Sequence, residues 1–185
     1  PSEQTLQLRK LLLHLENLDS HILHIYMLAA PDMLGKKSAL ALTATHGDAV
    51  RRALRMKKCC NDACAVLVGR HVHPISSTVG GFTKIPSEAD LLEMRKQFSA
   101  MKQDLLPTLE LAKTFVFPEF HRETEYVALK NDSEYALISG KVSSSRGVLK
   151  DKSEYKSITN EYLVPHSTAK HARLTGDSYM VGALA

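Results

Sequence analysis

The sequence predicts an α+β chain, a mainly helical bundle followed by a small antiparallel β lobe. Apolar residues recur at three- and four-residue steps as far as Ala112, the period of helices with one buried face. After Pro118 the texture changes to short apolar runs separated by polar turns, the pattern of strands and hairpins. With 44% apolar and 24% charged residues in 185, the chain holds enough apolar surface for a packed core, which sets disorder aside. The expected division is a helical core over residues 1–120 and a β lobe with a return segment over residues 121–185.

The first helix is expected from Thr5 to Leu28, where Leu8, Leu11, Leu12, Leu15, Leu18, Ile22, Ile25 and Tyr26 form one stripe. Pro31 and Gly35 end it. A second helix runs from about Asp48 to Val68, with Gly69 placed as its C-terminal cap. The next segment, residues 69–86, is rich in Gly, Pro and hydroxyl side chains and has no period, so it reads as a long structured loop. Ser87 and Asp90 form a capping-box start, and Leu91, Met94, Phe98, Met101, Leu105, Leu109 and Ala112 hold one face of a third helix. Pro107 should interrupt it, because proline removes a backbone donor and crowds the preceding turn.

The β lobe is expected over about residues 121–164, with strands at Thr124–Leu129 and Tyr135–Ile138 and a turn at Ser143–Gly147. Ser167–Arg173 is too short to classify, and Tyr179–Leu184 reads as a buried strand.

Composition narrows the function classes. The 24 Lys and Arg against 20 Asp and Glu give a net charge of only +4, spread over both parts, which argues against a concentrated nucleic-acid module. The three cysteines, Cys59, Cys60 and Cys64, lie within one short stretch, so no disulfide framework staples distant segments, and a reducing compartment fits. No apolar run reaches the roughly 18–20 residues needed to cross a bilayer, and the chain reads as soluble. It starts at Pro1 and stops in the apolar run before Ala185, so it is expected to be a piece of a longer polypeptide.

Four groups of side chains invite a chemical reading. His14, Asn17, His21 and His24 share a stripe on the first helix, and they read as a polar seam hydrogen-bonded against a neighbouring helix. A metal shared by His21 and His24 is the alternative, but no carboxylate or thiolate completes the spacing. Cys60 and Cys64, one helical turn apart, read as packing residues rather than soft-metal ligands. Arg51, Arg52, Arg55, Lys57 and Lys58 read as a solvated or subunit-facing helix surface, since no aromatic residues interleave them. In the loop, Gly69 and Gly80–Gly81 allow close backbone approach while Arg70, His71 and His73 supply donors, yet the Lys-Ser/Thr ending of a phosphate loop is missing.

That loop carries a resemblance. Gly69-Arg70-His71-Val72-His73-Pro74 followed by Val79-Gly80-Gly81-Phe82 resembles the GRxxHP…GG signature of the large subunit of nickel–iron hydrogenases. Asn17–His24 with Leu28-Ala-Ala-Pro-Asp32 is similar to the helix and turn that precede it in that family. His166–Arg173 and Tyr179–Leu184 resemble the later SxxKxxR and YxVGxLA segments. The four stations stand in family order and span residues 17–184. The two cysteine motifs that hold the family's metals, RxCGxC and DPCxxCxxH, do not occur, and Cys59, Cys60 and Cys64 match neither.

The resemblance implies the fold of a hydrogenase large subunit, of which this chain would be a middle portion. It implies a nickel–iron centre in the complete protein, with none bound to this fragment. It further implies reversible oxidation of dihydrogen, a small partner subunit with iron–sulfur clusters, further electron-transfer subunits, and a cytoplasmic location; charge and hydropathy lead us to expect no nucleic acid and no membrane span. By motif position Arg173 corresponds to the arginine whose guanidinium overhangs the metals, although Ala172 stands where the family commonly has proline. His73 is implied to face the small subunit, tuning the electron path, with Arg70 bracing the loop; His21 and His24 fall on the helix lining the centre. Ser167 and Lys170 are weaker candidates. The competing reading is a metal-free scaffold or subunit-interaction protein of the same fold.

Overall fold

The computed structural model describes residues 1–158, 160–176 and 178–185. About half of these residues are helical and the rest form small sheets, turns and loops. The chain divides into two units, Pro1–Pro118 and Glu119–Ala185.

In the first unit, helix α1 spans Glu3–Leu23, and its start is fixed by Ser2, whose side chain accepts from the Thr5 amide at 3.2 Å. The helix does not run on regularly to Leu28 as expected. His24–Ala29 forms a π turn, in which the Ala30 amide reaches back five residues to the Ile25 carbonyl. Pro31 supplies the cause: it has no N–H to continue the α ladder, and the wider turn accommodates its ring. A short helix α2, Ala30–Met33, follows, and the chain turns at Gly35, whose φ of 63° suits glycine.

A 3₁₀ turn at Leu40–Leu42 leads into α3, Thr43–Val68. His46 breaks this helix with non-helical backbone (φ −133°, ψ 42°), so the regular part begins beyond it, near the expected Asp48. Gly69 closes α3 in the left-handed region (φ 88°), its amide bonded to the Ala65 carbonyl. A Cβ there would lie 2.6 Å from the Ile75 side chain.

Helix α4, Glu88–Met101, opens with the expected capping box of Ser87 and Asp90. A 3₁₀ turn at Lys102–Asp104 separates it from α5, Leu105–Ala112, so Pro107 sits in the first turn of a new helix, where its missing donor costs no ladder bond. Two apolar clusters form the core. Leu8, Leu15, Ala63, Cys64, Leu67, Val68 and Met94 make one, and Ile22, Tyr26, Ala49, Ala53, Met56, Cys60 and Met101 the other. The start of α1 thus meets the end of α3, an antiparallel pair, and Phe98 of α4 packs against both clusters.

The second unit contains a four-stranded sheet, in the order Leu149–Asp151, Lys141–Ser144, Glu125–Lys130, Tyr179–Met180, and a separate hairpin of Asn160–Val164 with Ser167–Arg173. Strand β3 is Glu125–Lys130, one residue from the expected span. Its antiparallel partner is β4, Lys141–Ser144, and not Tyr135–Ile138, which form no strand. Strand β5 is Leu149–Asp151; β6, Asn160–Val164, pairs with β7, Ser167–Arg173, a stretch too short for pattern alone to classify. Strand β8 is only Tyr179–Met180 and pairs parallel to β3, so the sheet is mixed rather than antiparallel. It is also not buried, since Met180 is exposed and Tyr179 half-buried. Among the described residues of this unit only one is buried, the carboxylate Glu125.

Candidate functional site

The loop after α3 is built from its backbone. The Val68 carbonyl accepts the amides of Ile75 and Ser76 at 3.0 and 3.1 Å, which folds residues 69–76 back onto the helix end. Short strands β1 (Ser77–Thr78) and β2 (Gly81–Phe82) then form a hairpin with Gly80 at φ 86° in its turn. Arg9 of α1 donates to the Thr78 carbonyl at 2.9 Å and ties the hairpin down. Phe82 packs against the first apolar cluster.

Within this loop Arg70 Nε donates to the His73 carbonyl at 2.7 Å. That bond closes a tight turn in which His73 takes φ 55°, the one positive value at a non-glycine among the described residues. The side chains of Arg70, His71 and His73 are exposed. No helix begins at the loop's donors, so it does not present the aligned amides of a phosphate site.

The stripe on α1 differs from the expected seam. Asn17 donates to the Leu13 carbonyl of its own helix at 2.8 Å, not to a neighbour, and His21 and His24 are exposed while His14 is half-buried. His24 is the first residue of the π turn. The basic run lies on a largely solvated surface, with Arg51, Arg55 and Lys58 exposed and Arg52 and Lys57 half-buried, and ion pairs within the chain engage most of it. Arg51 pairs with Asp48, Lys57 with Asp19, and Lys58 with Asp62. Arg55 makes a two-pronged pair with Asp104, its Nε at 3.2 Å. Arg52 donates to the Tyr26 hydroxyl, which in turn bonds Thr108 at 2.6 Å.

Cys60 and Cys64 are buried in α3, one in each apolar cluster. Burial, with the negative charge of Asp19, pushes the Cys60 thiol up to about 12 and the Cys64 thiol up to about 11. Burial also raises Cys59. These are protonated packing groups, the reverse of thiolate ligands. Among the described residues no three His, Cys, Asp or Glu side chains gather where a metal ion could sit. The residues present therefore do not fit a nickel–iron centre.

Arg173 ends β7 in the second unit, whereas Arg70, His73, His21 and His24 belong to the first. Its Nε donates to the Tyr162 hydroxyl at 3.1 Å, and its guanidinium carbon lies 4.7 Å from the Tyr162 ring centroid. Lys170 pairs with Glu161 at 3.0 Å, and the Ser167 hydroxyl accepts the Ala169 amide, so both serve the hairpin. The sequence reading missed Glu125. It is fully buried, and its Oε2 accepts from the Thr175 hydroxyl at 2.7 Å and the Thr175 amide at 3.4 Å. Burial alone would raise its pKa, but the hydroxyls of Ser144 and Thr175, the Thr175 amide and the Arg146 charge together hold it below the ordinary glutamate value.

Fold and sequence together place the chain among relatives of the alpha, or large, subunits of hydrogenases. It is 29% identical to the alpha subunit of sulfhydrogenase 1 of Pyrococcus furiosus, a match covering 100% of this chain and 44% of that protein. It is 28% identical to the alpha subunit of sulfhydrogenase 2 of the same organism, over 98% of this chain and 42% of that protein. The crystal structure of an NAD+-reducing [NiFe]-hydrogenase in the H2-reduced state shares the fold, with a TM-score of 0.78 at 21% identity over 92% of this chain and 43% of that one. No protein-family model matches the chain. The chain thus aligns with part of these alpha subunits, spanning less than half the length of these relatives.

Proposed function

We propose that this chain is the middle portion of a nickel–iron hydrogenase large subunit whose complete enzyme reversibly oxidises dihydrogen to protons and electrons. The observation that carries the reading is the end-to-end match to the alpha subunit of a sulfhydrogenase, 100% of this chain at 29% identity. The motif stations from Asn17 to Leu184 agree with it. In this reading α1, α3 and α4 belong to a larger helical bundle, residues 121–185 form the β lobe and return segment, and the complete protein works in the cytoplasm. Its partners are a small subunit with iron–sulfur clusters and further electron-transfer subunits. The metals are held by cysteines outside this chain, which by itself binds no nickel–iron centre and is inactive.

The roles proposed for this chain's residues follow from their motif positions in the family resemblance. Arg173 offers a permanently charged, planar donor to the reaction site, and a lysine there would keep the charge but lose the fork. Arg70 locks the loop through the His73 carbonyl, which fixes where the His73 ring is presented to the small subunit. By motif position His21 and His24 fall on the helix that lines the centre in the family, and no individual role is assigned to them.

The test begins with the coding sequence on either side of Pro1 and Ala185. RxCGxC upstream and DPCxxCxxH downstream support the reading; their absence favours a metal-free scaffold. The purified chain should show no dihydrogen uptake with a dye acceptor, and uptake would contradict the assignment. In the complete enzyme Arg173→Lys should depress turnover while sparing nickel content, and unchanged turnover removes Arg173 from its role.

A further inference from the structure

We infer that Tyr162 is the positioning residue for Arg173. The β6–β7 register sets Tyr162 opposite His171 and Asn160 opposite Arg173, so Tyr162 and Arg173 are diagonal neighbours across the ladder. His171 and Arg173, two apart on β7, share a face, and long side chains reach a diagonal neighbour on that face. The guanidinium is therefore held twice by one residue: its Nε–H donates to the Tyr162 hydroxyl at 3.1 Å, and its plane carbon sits 4.7 Å from the ring centroid.

The two contacts do different work. The hydroxyl consumes the inner edge of the guanidinium, and the ring restrains its rotation, whereas an exposed arginine otherwise samples many rotamers. Among the described residues the terminal amines of Arg173 make no bond, so the outer edge of the fork stays available. The ring is itself buttressed. Tyr162 meets His171 edge-to-face at 5.8 Å, and His171 meets His166 at 5.6 Å. The hairpin carries a bulge here, since the pairs Tyr162–His171 and Val164–Ser167 enclose two more residues on β7 than on β6.

The use made of the free edge rests on the hydrogenase reading, but the hold on the guanidinium does not. The test is made on the 185-residue chain labelled with ¹⁵N, by measuring hydrogen exchange of the Arg173 Nε–H and the ring-current displacement of its Cδ protons. Tyr162→Phe removes the hydroxyl and keeps the ring. It should speed Nε–H exchange roughly three- to tenfold, the range for loss of one ordinary hydrogen bond, and leave the displacement in place. Tyr162→Leu should speed exchange at least as much and abolish the displacement. Wild-type exchange in Tyr162→Phe, with backbone contacts between Asn160 and Arg173 intact, would overturn the proposal. Should Tyr162→Leu not fold, the conservative Phe variant decides alone. Because the chain is measured without metal, failure here is distinct from failure of the hydrogenase reading, which the turnover of Arg173→Lys decides.

Discussion

Replacing Glu125 by glutamine removes a charge from the one buried position described in the second unit. In the wild type the Thr175 hydroxyl donates to the carboxylate at 2.7 Å. A hydrogen bond to a charged acceptor contributes about 1.5–3 kcal/mol, and one to a neutral amide oxygen about 0.5–1.5 kcal/mol. The difference is about 1–2 kcal/mol. The new amide nitrogen adds to it, because among the described residues the second carboxylate oxygen is buried without a partner. The expected loss at pH 7 is therefore about 1–3 kcal/mol, set against roughly 3–10 kcal/mol for a unit of 67 residues. The pH dependence has a definite sign. Because the folded pKa is depressed, the stabilisation is complete above the unfolded glutamate value of about 4.3 and disappears as pH falls through the lower folded value. The wild type should lose stability across that window, and the glutamine variant should lose less, so the two converge in acid. Tyrosine fluorescence in urea titrations suits the measurement, since five of the six tyrosines lie in this unit and the chain has no tryptophan. Equal stability at pH 7, or a gap that does not narrow on acidification, would refute the reasoning.

Gly69→Ala should lower stability by more than about 1 kcal/mol, since it combines left-handed backbone with a Cβ 2.6 Å from Ile75; a thermal melt with no shift would contradict this. At pH 8 a thiol reagent should leave Cys60 and Cys64 unmodified in the native chain, because burial raises both thiols, and should reach Cys59 first, which lines an open groove with Arg55 and Met101. Mass spectrometry of labelled peptides reads the order. Asp104→Ala strands the half-exposed Arg55 and should destabilise the first unit by about 1–2 kcal/mol in urea, a value reduced by solvent screening of the arginine.

The parts of the fold that could be read from the sequence are those in which the side-chain pattern and the backbone answer to the same force. The stripes of α1, α3 and α4 bury one face each, Gly69 caps α3 where an L side chain would be strained, and Ser87 with Asp90 opens α4. The π turn escaped because one wider turn disturbs a three-to-four-residue period too little to see. The exchange of Tyr135–Ile138 for Lys141–Ser144 has a different origin. Strands in this unit bury no apolar face, so apolar runs do not mark them, and backbone bonds to β3 select Lys141–Ser144 instead. The same holds for Glu125, whose neighbours in sequence give no sign that the chain folds over it. Of the ion pairs, Asp48–Arg51 and Lys58–Asp62 are visible at helical spacing, whereas Asp19 and Asp104 meet Lys57 and Arg55 only through tertiary packing. The contact between Tyr162 and Arg173 likewise depends on the hairpin register, which the residues between them do not spell out.

The π turn at His24–Ala29 has a bearing on how this segment tolerates changes in length. A helix that carries one surplus residue can shed it and fall back to ordinary α geometry, so a single deletion here would be absorbed without unravelling α1. Because the wider turn advances each residue by less than the roughly 100° of an α-helix, the extra residue is taken up within the turn, and its loss would leave the chain beyond it at nearly the same angle about the axis. Tyr26, which bonds Thr108 from within the turn, would keep its place only if the residue were lost after it. Pro31 and Asp32, beyond the turn, would keep their side of the axis in either case. The surplus residue thus acts as slack in the helix: it can be lost without changing the direction in which the chain leaves α1 and without disturbing the packed face of that helix.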